Sequence, residues 1–171
     1  MINPPVNVFI SLGSNLGDKE RNLHSAIAAI TELENSIVVK TSSFYSTAAW
    51  GKTDQPDFLN AVIEIKTQLL PEMLMKNLLR LENEMGRKRD DHWGPRVIDM
   101  DILFYSDKIC RTESLIIPHP ELHKRRFVLV PLNEIAPDFI HPVSNKKTAE
   151  MLRECPDELS VIVSSPKASH A

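Results

Sequence analysis

The chain has 171 residues and a formal net charge of −3, with 42% hydrophobic and 25% charged residues. This length fits one domain with a sizeable core, and the acidic balance argues against a general nucleic-acid binder, which needs a basic surface. Two cysteines are too few for a disulfide framework, and the N-terminus shows no signal-peptide pattern. No apolar run approaches the about 20 residues that span a bilayer. We therefore expect a cytoplasmic protein without membrane or nucleic-acid partners.

A strand, a turn and a helix are predicted at the start of the chain. Residues 6–12 are apolar and rich in β-branched side chains, which is typical of a buried strand. The turn cluster 13–18 ends at Asp18, which can cap a helix. Apolar residues then recur at helical spacing at Leu23, Ile27 and Ile30. The turn lacks the lysine of a phosphate-binding loop, so a plain tight turn is favoured over an anion site.

Two further strands are predicted around a loop. Residues 37–47 are rich in β-branched and aromatic side chains, and 48–56 form a loop that carries Trp50. The run 58–69 alternates and could pair with the preceding strand. Its two predicted faces are Leu59, Ala61, Ile63 and Ile65 on one side, and Phe58, Asn60, Val62 and Glu64 on the other. On spacing alone, Asn60 is as consistent with a structural role as with a binding role.

A helix and a basic loop come next. Pro71 fits a first helical turn, Gly86 ends the pattern, and the apolar stripe between them is Leu74, Leu78, Leu81 and Met85. Residues 88–94 are dense in charge, hold Trp93 and lack apolar periodicity. We therefore expect this stretch to move as a lid, since few buried contacts would hold it.

The stretch 94–105 predicts the strand on which function depends. Its alternation places Ile98, Met100, Ile102 and Phe104 on one face, and Asp99 and Asp101 side by side on the other. Two carboxylates on one face repel each other, and Mg²⁺ is a natural counter-charge because it prefers oxygen ligands and shares them with phosphates. Nearby Arg96, Arg87 and Arg89 suggest phosphate handling. A solvated pair of aspartates is the alternative interpretation.

The last third mixes short elements. We predict a return strand at 108–110, a buried segment at 115–120 whose flanking prolines fix His119, and a helix over 121–135 that is interrupted or begun near Pro131. A short helix over 148–155 and a strand over 159–163 complete the prediction. Because strands and helices do not alternate regularly, an α+β sandwich is favoured over a doubly wound sheet.

Five ordered blocks have compatible spacing. They are F-I-S-L-G-S-N-L-G-D, S-S-F-Y-S-T, D-Q-P-D-F-L-N-A-V, G-R-K-R followed by W-G-P-R-V-I-D-M-D-I-L, and I-P-H-P with K-R-R-F-V-L-V-P-L and E-I-A-P. Together they resemble the 6-hydroxymethyl-7,8-dihydropterin pyrophosphokinase family. The resemblance implies a ferredoxin-like α+β core elaborated into a three-layer α/β/α sandwich with a mainly antiparallel sheet. It also implies transfer of pyrophosphate from ATP to the pterin hydroxymethyl group, with two Mg²⁺ ions.

The resemblance also implies residue roles. The metal ligands would be Asp99 and Asp101, and catalysis would use these two with Arg87 and Arg96. ATP would contact Glu82, Arg87, Arg89, Trp93, Arg96, Ile102, His119 and Arg125. The pterin would contact Thr47, Ala48, Trp50, Phe58, Asn60, Trp93, Asp99 and Phe127. The family pattern is not matched at Ala48, Ala49, Trp50, Ser114, Ile116 and Pro120.

We expect a monomer with one domain over 1–163 and a frayed tail over 164–171. Two alternatives are another Mg²⁺-dependent phosphotransferase or hydrolase, and a non-catalytic ferredoxin-like binding module. Formation of AMP that requires a pterin alcohol separates the first from the family. Binding modules that read RNA carry a basic surface, which this acidic chain lacks.

Overall fold

The structure is a computed structural model that describes residues 3–48, 55–86 and 96–164. Within these ranges the elements follow one another as β1 (Val6–Ser14), α1 (Lys19–Thr31), β2 (Ser36–Thr41), β3 (Tyr45–Thr47), β4 (Phe58–Thr67), α2 (Pro71–Glu84), β5 (Asp99–Tyr105), β6 (Cys110–Arg111), β7 (Ile116–Ile117), a 3-10 turn (Leu122–Lys124), α3 (Arg126–Ile135), α4 (Thr148–Glu154) and β8 (Val161–Val163). The domain boundary at 163 stays a prediction, and the tail beyond Ser164 lies outside the described residues.

One antiparallel sheet organises the described part of the chain. Its strand order is β5-β1-β4-β3-β8, and β2 also pairs with β4, beyond the stretch that β3 occupies. The succession β1-α1-β2, then β4-α2-β5, with the spatial order β5-β1-β4-β2, is the ferredoxin-like arrangement. The predicted α+β class with a mainly antiparallel sheet is therefore confirmed.

Helices cover both faces of this sheet and make the predicted three layers. On one face, α1 and α2 bury Leu23, Ala26, Ile30, Leu74, Leu78 and Leu81 against β1, β4 and β5. On the other face, α3 and α4 bury Val128, Leu129, Leu132 and Met151 against Phe9 and Phe104. Each large aliphatic side chain that is fully buried stabilises the fold by about 1.5–3 kcal/mol. Among the described helices, none is long and apolar enough to span a membrane.

The termini of the first two helices follow the sequence signals. Asp18 is the N-cap of α1, and its Oδ1 accepts a hydrogen bond from the Arg21 backbone N–H at 3.1 Å. Pro71 occupies the first turn of α2, where its missing N–H costs no helical hydrogen bond. Gly86, at φ 93°, follows the end of α2 in a conformation that favours glycine.

The strand predicted over 37–47 is two strands. The fully buried Ser42 interrupts the regular pairing with β4. Its N–H still donates to the Val62 carbonyl, but the Val62 N–H donates to the side-chain Oγ of Ser42, both at 2.9 Å. This side-chain bond replaces a strand-to-strand bond and separates β2 from β3. Both strands pair with β4, as the sequence suggested.

The helix predicted over 121–135 is interrupted earlier than expected. The break falls at Arg125, which has extended backbone angles between the 3-10 turn and α3, and Pro131 lies inside α3. The predicted interruption or start at Pro131 is therefore wrong. Elsewhere, the return strand predicted at 108–110 lies at Cys110–Arg111 and pairs with Ile116–Ile117 in a separate hairpin.

The central strand β5 keeps the predicted faces only in its first half. Met100 and Ile102 face α1 and α2, and the two aspartates face the other way, as alternation requires. Phe9 pairs with Phe104 and Ile10 with Ile102, so Leu103 is an extra residue that forms a β-bulge. The bulge turns Phe104 to the α3 face, and its predicted position beside Ile102 is wrong.

Candidate active site

A cavity of about 370 Å³ opens on the face of the sheet that carries the two aspartates. Its lining includes the predicted nucleotide and metal residues Glu82, Arg96, Asp99, Asp101, His119 and Arg125, together called the acidic end here. It also includes the predicted pterin residues Thr47, Ala48, Phe58, Asn60 and Phe127, together called the pterin end. Residues separated by up to 80 positions in the sequence, from Thr47 to Phe127, thus share one cavity.

One predicted site residue within the described ranges is not part of the cavity lining. Ile102 is 2% exposed and packs in the cluster beneath α1 and α2, because it shares the strand face of Met100. Four further predicted site residues, Trp50, Arg87, Arg89 and Trp93, lie outside the described residues, as does the predicted lid over 88–94. Their roles stay predictions.

The acidic end is built on the start of β5. Arg96 precedes the strand, and its Nη1 donates to Asp99 Oδ2 at 2.9 Å. These side chains are only 16% and 23% exposed, so the ion pair is partly screened from water. A guanidinium and two carboxylates therefore face the same space, which suits a group that carries both phosphates and cations.

The two aspartates fit Mg²⁺ by their chemistry. Both offer oxygen ligands to one cavity from the same strand face. Within the described ranges, no group of three or more His, Cys, Asp or Glu side chains could hold a metal. A complete protein cage is thus not formed by these residues, and Mg²⁺ usually takes one or two carboxylates and completes its shell with water and substrate phosphates.

Glu82 supports β5 from the adjacent helix. It lies in α2, is 1% exposed, and its Oε2 accepts from the Met100 backbone N–H at 2.6 Å. That backbone group lies between the two aspartates in sequence. Glu82 therefore fixes the strand that presents them, in addition to lining the cavity.

His119 is a neutral hydrogen-bond donor at this end. Burial, reinforced by the charge of Arg125, lowers the pKa of His119 from 6.5 to about 4, against the opposing pull of Glu121 and Asp99. Its Nδ1 accepts from the Glu121 backbone N–H at 3.1 Å. The ring proton consequently resides on Nε2, and the imidazole can donate to an anion without carrying charge.

The start of α3 supplies a cation and an aromatic ring together. Arg125 is the N-cap residue of α3, and Phe127 is in its first turn. The Arg125 guanidinium carbon lies 5.8 Å from the centre of the Phe127 ring, within the range of a cation–π contact. A backbone anchor holds this helix end, because the Arg126 N–H donates to Asp157 Oδ2 at 3.1 Å.

A buried polar pair marks the opposite end. Asn60 and Thr47 are 6% and 3% exposed, and Asn60 Nδ2 donates to Thr47 Oγ1 at 2.8 Å. Gly13 pairs with Asn60 across β1 and β4, and a Cβ on Gly13 would lie 2.8 Å from Asn60 Oδ1. Sequence reasoning assigned Gly13 to a plain turn and missed this role, since the signal is the strand register.

Asn15 is a second residue that sequence reasoning missed. It is 1% exposed, and its Oδ1 accepts from the Arg96 N–H at 2.7 Å. Its Nδ2 donates to Gln55 Oε1 at 2.8 Å and to the Pro56 carbonyl at 3.1 Å. Asn15 thus holds the segment leading to β4 beside the segment leading to β5. A polar residue directly after a buried strand was the available signal.

Comparisons with known proteins agree on one family. A family model described as 7,8-dihydro-6-hydroxymethylpterin-pyrophosphokinase (HPPK) matches residues 9–137. Two similar curated relatives are named 2-amino-4-hydroxy-6-hydroxymethyldihydropteridine pyrophosphokinase. The relative from Haemophilus influenzae is 46% identical over 89% of this chain and 94% of its own length, and the one from Aquifex aeolicus is 44% identical over 86% and 91%.

Solved structures agree on the fold. The HPPK-DHPS protein of Plasmodium falciparum with pteroate matches 90% of this chain with a TM-score of 0.73 at 16% identity. This chain covers 43% of that longer protein. At such low identity, the likeness concerns the fold alone.

Proposed function

The chain belongs to the 7,8-dihydro-6-hydroxymethylpterin-pyrophosphokinase family, and from this premise we propose how its cavity performs the reaction. The enzyme is an ATP-dependent diphosphotransferase of folate biosynthesis. It transfers pyrophosphate from ATP to the hydroxymethyl group of 6-hydroxymethyl-7,8-dihydropterin and releases AMP. One observation supports the assignment of the site: a single cavity is lined both by paired carboxylates and by aromatic rings with a buried amide.

At the acidic end, Asp99 and Asp101 would hold two Mg²⁺ ions together with the triphosphate of ATP. Bound Mg²⁺ supplies charge neutralisation and polarises the phosphoryl oxygens. Arg96 keeps Asp99 oriented through its ion pair, and its guanidinium, which lines the cavity, would bind phosphate. His119 and Arg125 add one neutral donor and one charged donor to the same space.

At the other end, Phe58 and Phe127 would stack on the flat pterin ring. Asn60 and Thr47 would hydrogen-bond to its polar edge, since both lie buried in the lining beside these rings. The absence of a side chain at Gly13 leaves room for the Asn60 amide in this orientation. Stacking would fix the plane of the ring, and the hydrogen bonds to its polar edge would direct the hydroxymethyl group toward the acidic end.

The two ends together perform an in-line transfer. The hydroxymethyl oxygen loses its proton to water and forms a bond to the β-phosphorus of ATP, while the bond from that phosphorus to the α–β bridging oxygen breaks and AMP leaves with this oxygen. The cavity contributes alignment and charge stabilisation, which are the main protein contributions to phosphoryl transfer. We also propose that the enzyme acts as a monomer in the cytoplasm. The free thiols of Cys110 and Cys155 are consistent with a reducing compartment.

The test is incubation with ATP, Mg²⁺ and the reduced pterin alcohol, with AMP and pterin pyrophosphate measured separately. We expect both products in equal amounts, and no AMP when the pterin alcohol is omitted. AMP release without the alcohol, or ADP as the nucleotide product, would contradict this function. Light scattering of the same sample measures the oligomeric state.

A further inference from the structure

Glu134 gathers three hydrogen bonds from a distant part of the chain. Its Oε1 accepts from the Ser43 backbone N–H at 2.9 Å and from the Tyr45 hydroxyl at 2.6 Å. Its Oε2 accepts from Ser43 Oγ at 3.0 Å. Ser43 and Tyr45 belong to the S-S-F-Y-S-T block and Glu134 to the E-I-A-P block. Of these two motifs, only Thr47 has a role in the proposed reaction.

These bonds join the two elements that frame the pterin end of the cavity. Glu134 lies near the C-terminus of α3, and Phe127 lies in the first turn of the same helix. Tyr45 begins β3, and Thr47 ends it. Tyr45 and Thr47 share a strand face, because side chains two residues apart point the same way. The carboxylate therefore connects the helix that carries the aromatic ring to the strand that carries the partner of Asn60.

The Tyr45–Glu134 bond is well supported by its surroundings. Tyr45 is 8% exposed, and burial together with the Glu134 carboxylate raises its pKa, so the phenol remains a protonated donor. Lys40, in β2, also ties this end of α3 to the sheet, since its Nζ donates to the Ile135 carbonyl at 3.3 Å. The strand β3 has only three residues. The Tyr45–Glu134 bond therefore adds a side-chain anchor to the backbone hydrogen bonds that β3 makes with β4 and β8.

We propose that Glu134 is a positioning residue for the pterin, which sets the spacing between Phe127 and the Thr47–Asn60 pair by holding α3 on β3. This proposal rests on the proposed function and adds a specificity element to it. The metal-binding carboxylates lie on β5, which is separated from β3 by β1 and β4 in the sheet. Arg125, at the start of α3, is one nucleotide contact that would shift with the helix. Loss of Glu134 should therefore weaken pterin binding more than ATP binding.

The first test measures both ligands in Glu134→Ala. We expect the dissociation constant for the reduced pterin alcohol to rise about tenfold, which is the size of effect that loss of a charge-assisted hydrogen bond has. The dissociation constant for ATP should change less than about twofold. Glu134→Gln should restore most pterin affinity, because its amide oxygen can accept from Ser43 and Tyr45 while its amide nitrogen donates to Ser43 Oγ. An equal change for both ligands, or no change for either, would overturn the proposal.

A stability control separates positioning from general weakening. Glu150→Ala removes the acceptor for the Lys147 N–H at the start of α4, away from the cavity lining. It should lower stability and leave pterin affinity within about twofold, since a lost helix cap acts on stability. If Glu150→Ala weakens pterin binding as much as Glu134→Ala at similar stability, the effect is global and the proposal fails.

A second readout needs no ligand. Unfolding of Glu134→Ala, Tyr45→Phe and the double variant should be non-additive, because the two side chains share a bond. Additive effects would remove the claimed connection. Wild-type protein that binds neither ligand would instead reject the proposed function, an outcome that this unfolding cycle does not depend on.

Discussion

Two carboxylates on one strand face repel each other unless a cation compensates them. Asp99 has Arg96 at 2.9 Å, and both aspartates line the cavity where a metal-bound triphosphate would lie. Asp101→Asn keeps the shape and removes one charge, so kcat/KM should fall at least about a hundredfold, which corresponds to roughly 2.7 kcal/mol of lost transition-state stabilisation. Asp107→Asn, on the exposed turn after β5, is the matched control and should retain wild-type turnover. Wild-type rates in Asp101→Asn would remove the metal assignment.

We predict that Gly13 matters because its missing side chain leaves room for the Asn60 amide. In Gly13→Ala the new methyl group would meet Asn60 Oδ1 at 2.8 Å, so Asn60 has to move. We expect a loss of about 1–3 kcal/mol in stability, as for other overpacked sites, and weaker pterin binding. Denaturant unfolding in the Asn60→Ala background provides the control, because removing the clash partner should reduce the cost of Gly13→Ala. The same cost in both backgrounds would show that the amide is not the obstacle.

His119 should make the metal-free protein sensitive to mild acid. Its pKa of about 4 in the folded state lies below the ordinary value of 6.5, so the unfolded state binds the proton more readily between these two values. The buried neutral His119 costs no stability above pH 6.5. As the pH falls from 6.5 toward 4, the free energy of unfolding decreases by at most about 3 kcal/mol on its account. Unfolding free energies measured across this range should fall more steeply for the wild type than for His119→Gln. Parallel curves would contradict the buried neutral state.

At the scale of elements, regular alternation made β4 predictable. Its two faces follow the period of two from Phe58 onward, and Asn60 falls on the cavity side as the pattern indicates. Alternation failed where local geometry changed. The bulge at Leu103 turns Phe104 to the α3 face, where its ring packs 4.5 Å from that of Phe139. Nothing in the composition of the strand specifies which residue is extra, because the bulge depends on the pairing with β1.

Residues of the cavity lining were predictable where charged groups lie close together in the sequence. The carboxylate pair, the basic residues beside it and the motif blocks indicated the acidic end. Asn15, Gly13 and Glu134 were missed because their partners lie 81, 47 and 89 positions away, at Arg96, Asn60 and Tyr45 respectively. Such contacts depend on register and helix docking, which a single sequence does not specify.

The docking of α3 gives a prediction at this scale. Its first N–H, from Arg126, donates to Asp157 Oδ2, so a residue from the segment before β8 caps the helix. Asp157 Oδ1 also accepts from the Leu159 N–H at 2.9 Å. Asp157→Ala should lower stability by about 1 kcal/mol, like the loss of an N-cap. Urea unfolding measures this loss, and Asp18→Ala, which removes the cap of α1, is the comparison. An unchanged free energy of unfolding in Asp157→Ala would exclude the capping role.

For the whole molecule, the sheet keeps the two ligand ends on different strands. The carboxylates belong to the edge strand β5, while Asn60 and Thr47 belong to β4 and β3. Both ends rest on one continuous sheet whose faces are closed by helices. A ligand at either end should therefore stabilise the whole fold, while the two kinds of ligand depend on different residues.

This separation is testable by thermal unfolding. Each ligand at about 100 times its dissociation constant should stabilise the protein by about 2.7 kcal/mol, and a chain of this length gains roughly 2–4 °C in Tm per kcal/mol. Mg²⁺ with ATP should raise the Tm of the wild type and, at the same concentrations, much less that of Asp101→Asn, because that variant has lost a metal ligand. The reduced pterin alcohol should raise the Tm of both proteins equally, and addition of EDTA should abolish only the ATP effect. If Asp101→Asn responds to Mg²⁺ and ATP as the wild type does, the nucleotide is not held through this carboxylate. If EDTA abolishes the pterin effect as well, the two ends are not independent.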